Sequence, residues 1–163
     1  MNQRQLKRSF FNKSIISGFA GALIWGGVGS LSYFFSFTEV SHASFLIRSF
    51  ISDAWAQGVI GELVSLPILS IIGIIPAFIY YLFFKKAKGM LPSILFGVAL
   101  WAIVFLLLQP LFQQVPAVTN MKVETIVTTL AHFILYGVFV GYTISYERTE
   151  TMIALSKKSH NET

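Results

Sequence analysis

The chain has 163 residues, of which 55% are hydrophobic and 12% are charged, and its mean hydropathy is +0.69. In a water-soluble domain about a quarter of the residues carry charge, so this composition excludes that class of protein. The net charge is +5, and the absence of cysteine excludes disulfides, thiolate catalysis and cysteine-ligated metal centres. The length matches one ordinary domain, and we expect a single membrane-embedded unit over residues 1–163.

Four apolar segments are long enough to cross a bilayer as α-helices. A span needs about 20 apolar residues to cover roughly 30 Å of hydrocarbon, and a helix satisfies its own backbone groups within lipid. The segments cover residues 14–37, 59–84, 90–112 and 125–146, and Glu62 is the one charged residue inside them. The predicted fold is all-α: an integral membrane four-helix bundle with tails over residues 1–13 and 147–163.

The basic residues predict which way the chain crosses the membrane. Ten of the twelve fall before the first span, between the second and third, or after the fourth, and Arg48 and Lys122 are the other two. Positive charge accumulates on the cytoplasmic side, so we expect both termini there, next to anionic lipids of the bilayer. No nucleic-acid-binding motif accompanies these clusters, and we expect no nucleic acid as a partner.

The first outer loop, over residues 38–58, has the pattern of an amphipathic helix. One side of a helical wheel collects Leu46, Ile47, Phe50, Ile51, Ala54 and Trp55, and the other collects Arg48, Ser49, Ser52, Asp53 and Gln57. Such a helix is expected to lie in the outer interface of the membrane. It could instead extend the second span or cap a cavity as a lid.

Small residues form a strip along the first predicted span. The strip includes Gly18, Ala22, Gly26 and Ser30, one residue in every four. Small residues let helices approach closely in lipid, where the hydrophobic effect no longer drives them together. Gly137 and Gly141 give the fourth span a matching strip, so we expect these two helices to touch. A homodimer formed through the first span is the competing use of the strip.

Two prolines, Pro67 and Pro76, fall within the second span on either side of Gly73. Each proline removes a backbone donor and frees a carbonyl one turn earlier, which predicts a kinked helix. In transporters, broken helices also mark substrate sites, but there they occur at corresponding positions in two structural repeats. No other span of this chain repeats the pattern.

Several polar residues fall at similar depths in the outer half of the predicted membrane. They are Glu62 in the second span, Gln109 near the end of the third, and His132 and Tyr136 in the fourth. An acid and an imidazole that met there would form a proton-linked or ligand-binding site. Alternatively, Glu62 extends to the interface while His132 makes a hydrogen bond between helices.

Signals for catalysis and for cofactors are lacking in the sequence. Glu39, His42 and Asp53 share the outer loop without the spacing of metal ligands, and no nucleophile elbow or phosphate-binding glycine pattern occurs. We therefore expect no metal, no cofactor and no catalytic residues.

The fourth span contains the run His132-Phe133-Ile134-Leu135-Tyr136-Gly137-Val138-Phe139-Val140-Gly141, and the first opens with Ser17-Gly18-Phe19-Ala20-Gly21 after a basic stretch. With these features the chain resembles the YqhR-type conserved membrane proteins of Bacillus and related spore-forming bacteria. The resemblance implies a bacterial plasma-membrane location. It supplies no catalytic residues.

From these observations we expect a multi-pass membrane protein that acts as a non-enzymatic packing or partner-binding component. Extensive small-residue faces favour this function, together with short loops and the lack of a catalytic signature. Two alternatives stay open: a small proton-coupled carrier that uses Glu62 and His132, and an intramembrane enzyme.

The predicted threading is tested by cysteine labelling, because the chain has no cysteine of its own. Single substitutions Lys86→Cys and Lys122→Cys are expected to react with a membrane-impermeant maleimide from opposite sides of sealed vesicles. Labelling of both positions from one side would show that the number of crossings between them is wrong.

Overall fold

Four helical segments of the chain can cross a membrane by length and composition, as the sequence predicts. The structure, a computed structural model, describes the backbone of residues 3–84 and 90–161 and the side chains of residues 12–84 and 90–146. The four segments, here numbered spans 1 to 4, are Asn12–Phe34, Val59–Phe84, Leu91–Leu111 and Val123–Tyr146. The described backbone contains no strand. The all-α membrane fold is therefore confirmed, and the orientation stays a prediction.

The described part of the chain holds six α-helices. In chain order they are α1 (Gln3–Phe34), α2 (Ala54–Gln57), α3 (Val59–Ile72), α4 (Ile74–Phe84), α5 (Leu91–Ala102) and α6 (Val123–Asn161). A π-helix over Ser44–Arg48 precedes α2, another over Ile103–Leu108 continues α5, and 3₁₀ turns cover Gln109–Leu111 and Val118–Asn120. Span 2 is thus α3 plus α4, and α6 continues as a helix well beyond span 4. We call the end of the bundle that carries the loops 35–58 and 112–122 the loop end.

Span 1 ends three residues earlier than residue 37, the predicted boundary. Ser36 has a φ of 62°, in the left-handed region, and this reverses the chain direction. The N–H of Ser36 donates to the Tyr33 carbonyl at 3.0 Å, and the N–H of Phe37 donates to the Ser32 carbonyl at 2.8 Å. These two bonds form a Schellman motif, which satisfies the last carbonyls of the helix. The hydropathy pattern continued through Phe37 and so hid this cap.

The continuous amphipathic helix predicted for the first loop is wrong. The loop contains two short helical pieces, Ser44–Arg48 and Ala54–Gln57, separated by an irregular stretch. Arg48, predicted for the polar face, is buried, whereas Phe50, predicted for the apolar face, is 69% exposed. The loop folds inward because the Arg48 side chain finds partners inside the protein, which a helical wheel does not represent.

Helix α1 lies between span 2 and α6 and contacts both. Its strip of small residues faces span 2: a Cβ at Gly18 would lie 2.7 Å from the Gly73 carbonyl oxygen, and a Cβ at Gly26 would lie 2.6 Å from Leu69 Cδ2. Gly21 faces the other neighbour, next to the Tyr136 and Phe139 rings of α6. The first and last spans therefore touch, but not through the two strips that the sequence pairs.

The glycines of α6 face α5 instead of α1. A Cβ at Gly137 would lie 2.6 Å from the Ser93 carbonyl oxygen and 2.8 Å from the Gly97 nitrogen. Gly97 is equally close to α6, since its Cβ would lie 2.5 Å from the Phe133 carbonyl oxygen. The expected pairing of Gly137 and Gly141 with the strip of α1 is therefore corrected: Gly97 and Ser93 on α5 supply the complementary small surface.

Span 2 is interrupted at Gly73, between α3 and α4. Pro76 has no N–H to offer the Ile72 carbonyl, so the helical hydrogen-bond ladder is broken at this point. Pro67 lies inside α3, which continues through it. The Tyr136 hydroxyl donates to the Gly73 carbonyl at 2.5 Å and so joins the break to α6.

Two apolar clusters fill the interior. The central cluster combines Ala22, Ala77, Tyr80, Phe96, Tyr136, Val140 and Ile144 from all four spans. In it Tyr80 packs edge-on to Phe96 at 5.0 Å, and its hydroxyl lies 2.9 Å from Ser93 Oγ. A second cluster at the loop end joins Val40, Phe105, Val115 and Met121, so both loops are fastened to span 3.

The close approach of α5 and α6 predicts that Gly137→Ala is destabilising. Alanine gains about 1 kcal/mol of helix propensity, but its Cβ would overlap backbone atoms of α5, and such overpacking costs about 1–3 kcal/mol. We expect a lower thermal midpoint in detergent for this variant. Gly29→Ala is the matched control, because a Cβ at Gly29 meets nothing within 4 Å. Equal midpoints for the two variants would contradict the packing described here.

Candidate functional site

Glu62 lies one turn into α3 and is the centre of a polar cluster at the loop end. Its Oε1 is 2.9 Å from Arg48 Nη2 and accepts a hydrogen bond of 2.5 Å from the Ser41 hydroxyl. Its Oε2 accepts a hydrogen bond of 3.0 Å from Ser30 on α1. We call Ser30, Ser41, His42, Arg48 and Glu62 the Glu62 cluster. Three segments, α1, the first loop and α3, are therefore joined through one carboxylate.

Every nitrogen of the Arg48 guanidinium has a partner inside the protein. Besides Glu62 it donates to the carbonyls of Ala56 and Gln57, at 3.1 and 3.3 Å, and to Ser41 Oγ at 3.4 Å. The guanidinium carbon also lies 4.8 Å from the centre of the Tyr33 ring. Because the Arg48 and Glu62 side chains are only 5% and 12% exposed, this bonding offsets the loss of their hydration.

Local sequence positions the two carbonyls that Arg48 binds. Ala56 and Gln57 form the last turn of α2, where backbone carbonyls lack helical partners and a basic side chain is a favourable cap. The chain then turns back sharply, and Gly61 contacts the Ala56 carbonyl so closely that a side chain at position 61 would overlap it. Gly61 thus allows α2 to lie against the start of α3, beside Glu62.

His42 completes the Glu62 cluster. Its Nε2 lies 3.3 Å from the Glu62 carbonyl oxygen, 3.4 Å from Ser30 Oγ and 3.6 Å from Glu62 Oε2. Burial lowers the pKa of the imidazole below its ordinary value of 6.5, although the nearby Glu62 carboxylate acts in the opposite direction. The imidazole is therefore neutral near neutral pH, and it contributes hydrogen bonds to the cluster instead of a second positive charge.

The structure does not join Glu62 to His132. His132 Nε2 lies 3.4 Å from Ser32 Oγ, whereas Glu62 binds Ser30. Residues two apart on an α-helix differ in direction by about 200°, so α1 stands between the acid and the imidazole. The expected convergence failed because similar depths in the membrane do not fix which side of a neighbouring helix a residue meets.

The other two polar candidates also have partners of their own. Gln109 Nε2 donates to the Val115 carbonyl at 2.7 Å and closes the turn after span 3. Tyr136 binds the Gly73 carbonyl, as described above. Among the residues with described side chains, no group of three or more His, Asp and Glu side chains is arranged to hold a metal ion.

An exposed ion pair lies beside the Glu62 cluster. Lys122 Nζ contacts Glu39 Oε1 at 2.7 Å, and the two side chains are 71% and 36% exposed. The hydrogen bond from Lys122 lowers the pKa of the Glu39 carboxyl, and Glu39 in turn raises the pKa of Lys122. The Glu39 backbone N–H also donates to Thr125 Oγ1 at 3.0 Å, which fastens the first loop to the start of α6.

Between α1 and α3 a groove of about 830 Å³ opens at the loop end. Its lining includes Arg48 and Glu62 at the polar end, with Glu39 and Lys122 beside them. Its walls are formed by apolar residues of both spans, namely the exposed Leu31, Phe34, Val59 and Leu63 and the half-buried Leu66. We call this feature the loop-end groove.

Sequence reasoning did not assign Arg48 to this site. The signal was present, because an acid inside a span predicts a cationic partner, and Arg48 and Lys122 were the two basic residues expected on the same side as Glu62. The helical wheel placed Arg48 in the polar interface instead. Ser41 carried no signal of its own, since hydroxyls are common in loops.

The fold and this site define a multi-span α-helical membrane protein with a buried ion pair and a side groove at one end. The chain belongs to the YqhR family: the model of the family described as "Conserved membrane protein YqhR" matches residues 1–159. The chain is similar to the uncharacterized protein YqhR of Bacillus subtilis (strain 168), with 38% identity over 134 residues. That match covers 82% of this chain and 75% of the relative. No solved structure matches the chain.

The buried pair predicts strong coupling between Arg48 and Glu62. Removing one partner leaves the other charge buried and unpaired, which typically costs about 3–5 kcal/mol, so we expect each of Arg48→Met and Glu62→Gln to lower the free energy of unfolding by about 3 kcal/mol. The double variant removes both charges and is expected to lose clearly less than the sum of the single losses. The measurement is a double-mutant cycle of denaturant unfolding in mixed micelles.

Lys122→Met serves as the control for this cycle, because Lys122 and Glu39 form an ion pair at the surface, where charges are screened by solvent. We expect it to leave the unfolding midpoint unchanged. Additive losses for Arg48→Met and Glu62→Gln would show that the two side chains do not depend on each other.

Proposed function

We propose that this chain is a non-enzymatic component of the bacterial plasma membrane that acts by binding a partner molecule in the loop-end groove. One observation carries the proposal: the groove combines charged groups at its polar end with apolar walls that face the membrane. A partner that enters it gains both polar and apolar contacts without leaving the bilayer. The description of the family as conserved membrane proteins and the bacterial relative support the location.

The bonding of the Glu62 cluster favours binding over chemistry. Each terminal atom of the Arg48 guanidinium and both oxygens of Glu62 already have partners inside the protein. A general acid or base needs a free position toward its substrate, and a nucleophile needs an adjacent base. The cluster instead has the features of a support that fixes one wall of the groove.

A proton-coupled carrier has less support from the same residues. Such a carrier requires an acid that releases its proton to a water-accessible path, and the carrier alternative paired Glu62 with His132. The Glu62 carboxylate is instead paired with the Arg48 guanidinium, and α1 separates Glu62 from His132. The loop-end groove therefore supports binding better than it supports transport.

Site-specific photo-crosslinking in native membranes tests the proposal. Leu63 and Ile71 both lie on α3 and are similarly exposed, at 66% and 63%, but Leu63 lines the groove and Ile71 does not. With benzoylphenylalanine at either position, a bound partner is expected to form a discrete adduct from position 63 and much less from position 71.

Bulk lipid would label positions 63 and 71 alike, so the comparison isolates occupancy of the groove. The mass of the adduct shows whether the partner is a lipid, a second copy of this chain or another membrane protein. Identical adduct patterns at the two positions would overturn the proposal.

A further inference from the structure

Resting on the proposed function, we infer that the partner in the loop-end groove is a single phospholipid with a zwitterionic head group. One acyl chain would lie between α1 and α3. The phosphate would contact Lys122, and the ammonium would contact Glu39. The inference stands on the length of the apolar walls, the charges at the polar end and the shape given by Gly27.

The apolar part of the groove fits a chain that enters from one leaflet. On α1 it runs from Phe34 to Gly27 and on α3 from Val59 to Leu66, eight residues and so seven helical steps in each case. At 1.5 Å per residue this is about 10 Å, or a third of the roughly 30 Å of hydrocarbon in a bilayer. An occupant of this length lies in the half of the membrane next to the loop end.

The end of the groove farthest from the loops lacks a side chain on α1. Gly27 lines it, and a Cβ at this position would meet nothing within 4 Å. Gly26, the preceding residue, instead faces Leu69 of span 2. The space over Gly27 is thus not used for packing between helices, and an acyl chain of small cross-section can fill it.

The charges at the polar end are balanced. Among the lining residues Arg48 and Lys122 are positive, and Glu39 and Glu62 are negative. Arg48 and Glu62 are buried and bound to each other, so the exposed pair of Lys122 and Glu39 is the one open to an added head group. A lysine ammonium has three donors, and a zwitterion can satisfy both charges of the pair at once.

A purely anionic head group fits this end less well. It would bind Lys122 but bring a second negative charge close to Glu39, and like charges at short range repel. A helix of a second chain would fill the apolar walls but leave the exposed ion pair without new partners. The balanced charges therefore favour the zwitterion over both.

The test measures which lipid stays with the full-length protein. The protein is reconstituted in vesicles with equal amounts of phosphatidylethanolamine and phosphatidylglycerol, extracted in mild detergent and examined by native mass spectrometry. We expect one phosphatidylethanolamine per chain. Gly27→Leu, which fills the groove, is expected to reduce the retained fraction about tenfold, equivalent to about 1.4 kcal/mol. Gly29→Leu, on the same helix but outside the groove, is expected to retain the lipid as the unchanged protein does.

Lys122→Gln gives a second variant that does not alter the packing of the spans. It is expected to abolish the preference for phosphatidylethanolamine over phosphatidylglycerol. Loss of lipid in both glycine variants, preferential retention of phosphatidylglycerol by the unchanged protein, or no retained lipid at all would each overturn the inference. A protein adduct at Leu63 without retained lipid would overturn this inference but leave the proposed function standing, whereas equal adducts at Leu63 and Ile71 remove the proposed function itself.

Discussion

The loop end of this protein is organised by the ion pair between Arg48 and Glu62. A carboxylate inside a membrane span is costly unless a cation and hydrogen-bond donors replace the water it has lost. Arg48 and Lys122 are both at that end of the bundle, and Arg48 reaches Glu62 because the first loop folds onto the spans. The same guanidinium binds the two carbonyls at the end of α2, so one side chain fixes the loop, the acid and the start of span 2 together.

The spans could be predicted from the sequence because hydropathy is a property of each segment taken alone. The helices lie close to the predicted ranges. The early end of span 1 depends on the left-handed conformation of Ser36, and it could not be predicted because glycine or asparagine usually occupies such a position. The helix that each small-residue strip contacts could not be predicted from the sequence, since a strip shows that a close approach is possible but not with which helix. Span 3 carries a short pair of small residues at the same spacing, Ser93 and Gly97, and this pair meets Gly141 and Gly137.

The sequence singled out Glu62, which the structure places at the centre of a polar cluster, but it did not identify the residues that surround it. Depth along the membrane normal can be counted from the sequence, but the side of a neighbouring helix that a residue meets depends on packing. Glu62 meets Ser30 and His132 meets Ser32, which lie on opposite sides of α1. The loop was the harder part. A helical wheel presupposes an unbroken helix, and this loop is two short pieces held by long-range hydrogen bonds from Arg48 to α2 and from Ser41 to Glu62.

The break at Gly73 divides span 2 into halves that are anchored independently. The half formed by α4 is fixed by Tyr80 against Phe96 and Ser93, whereas the half formed by α3 is fixed by the Glu62 cluster at its far end. With the hydrogen-bond ladder interrupted by Pro76, bending is concentrated at a single joint, and the Tyr136 hydroxyl sits on that joint. Because Ser30 ties α3 to α1 and the Tyr136 hydroxyl ties the break to α6, the angle between the two halves of span 2, and with it the width of the loop-end groove, is set by contacts on both sides of the break.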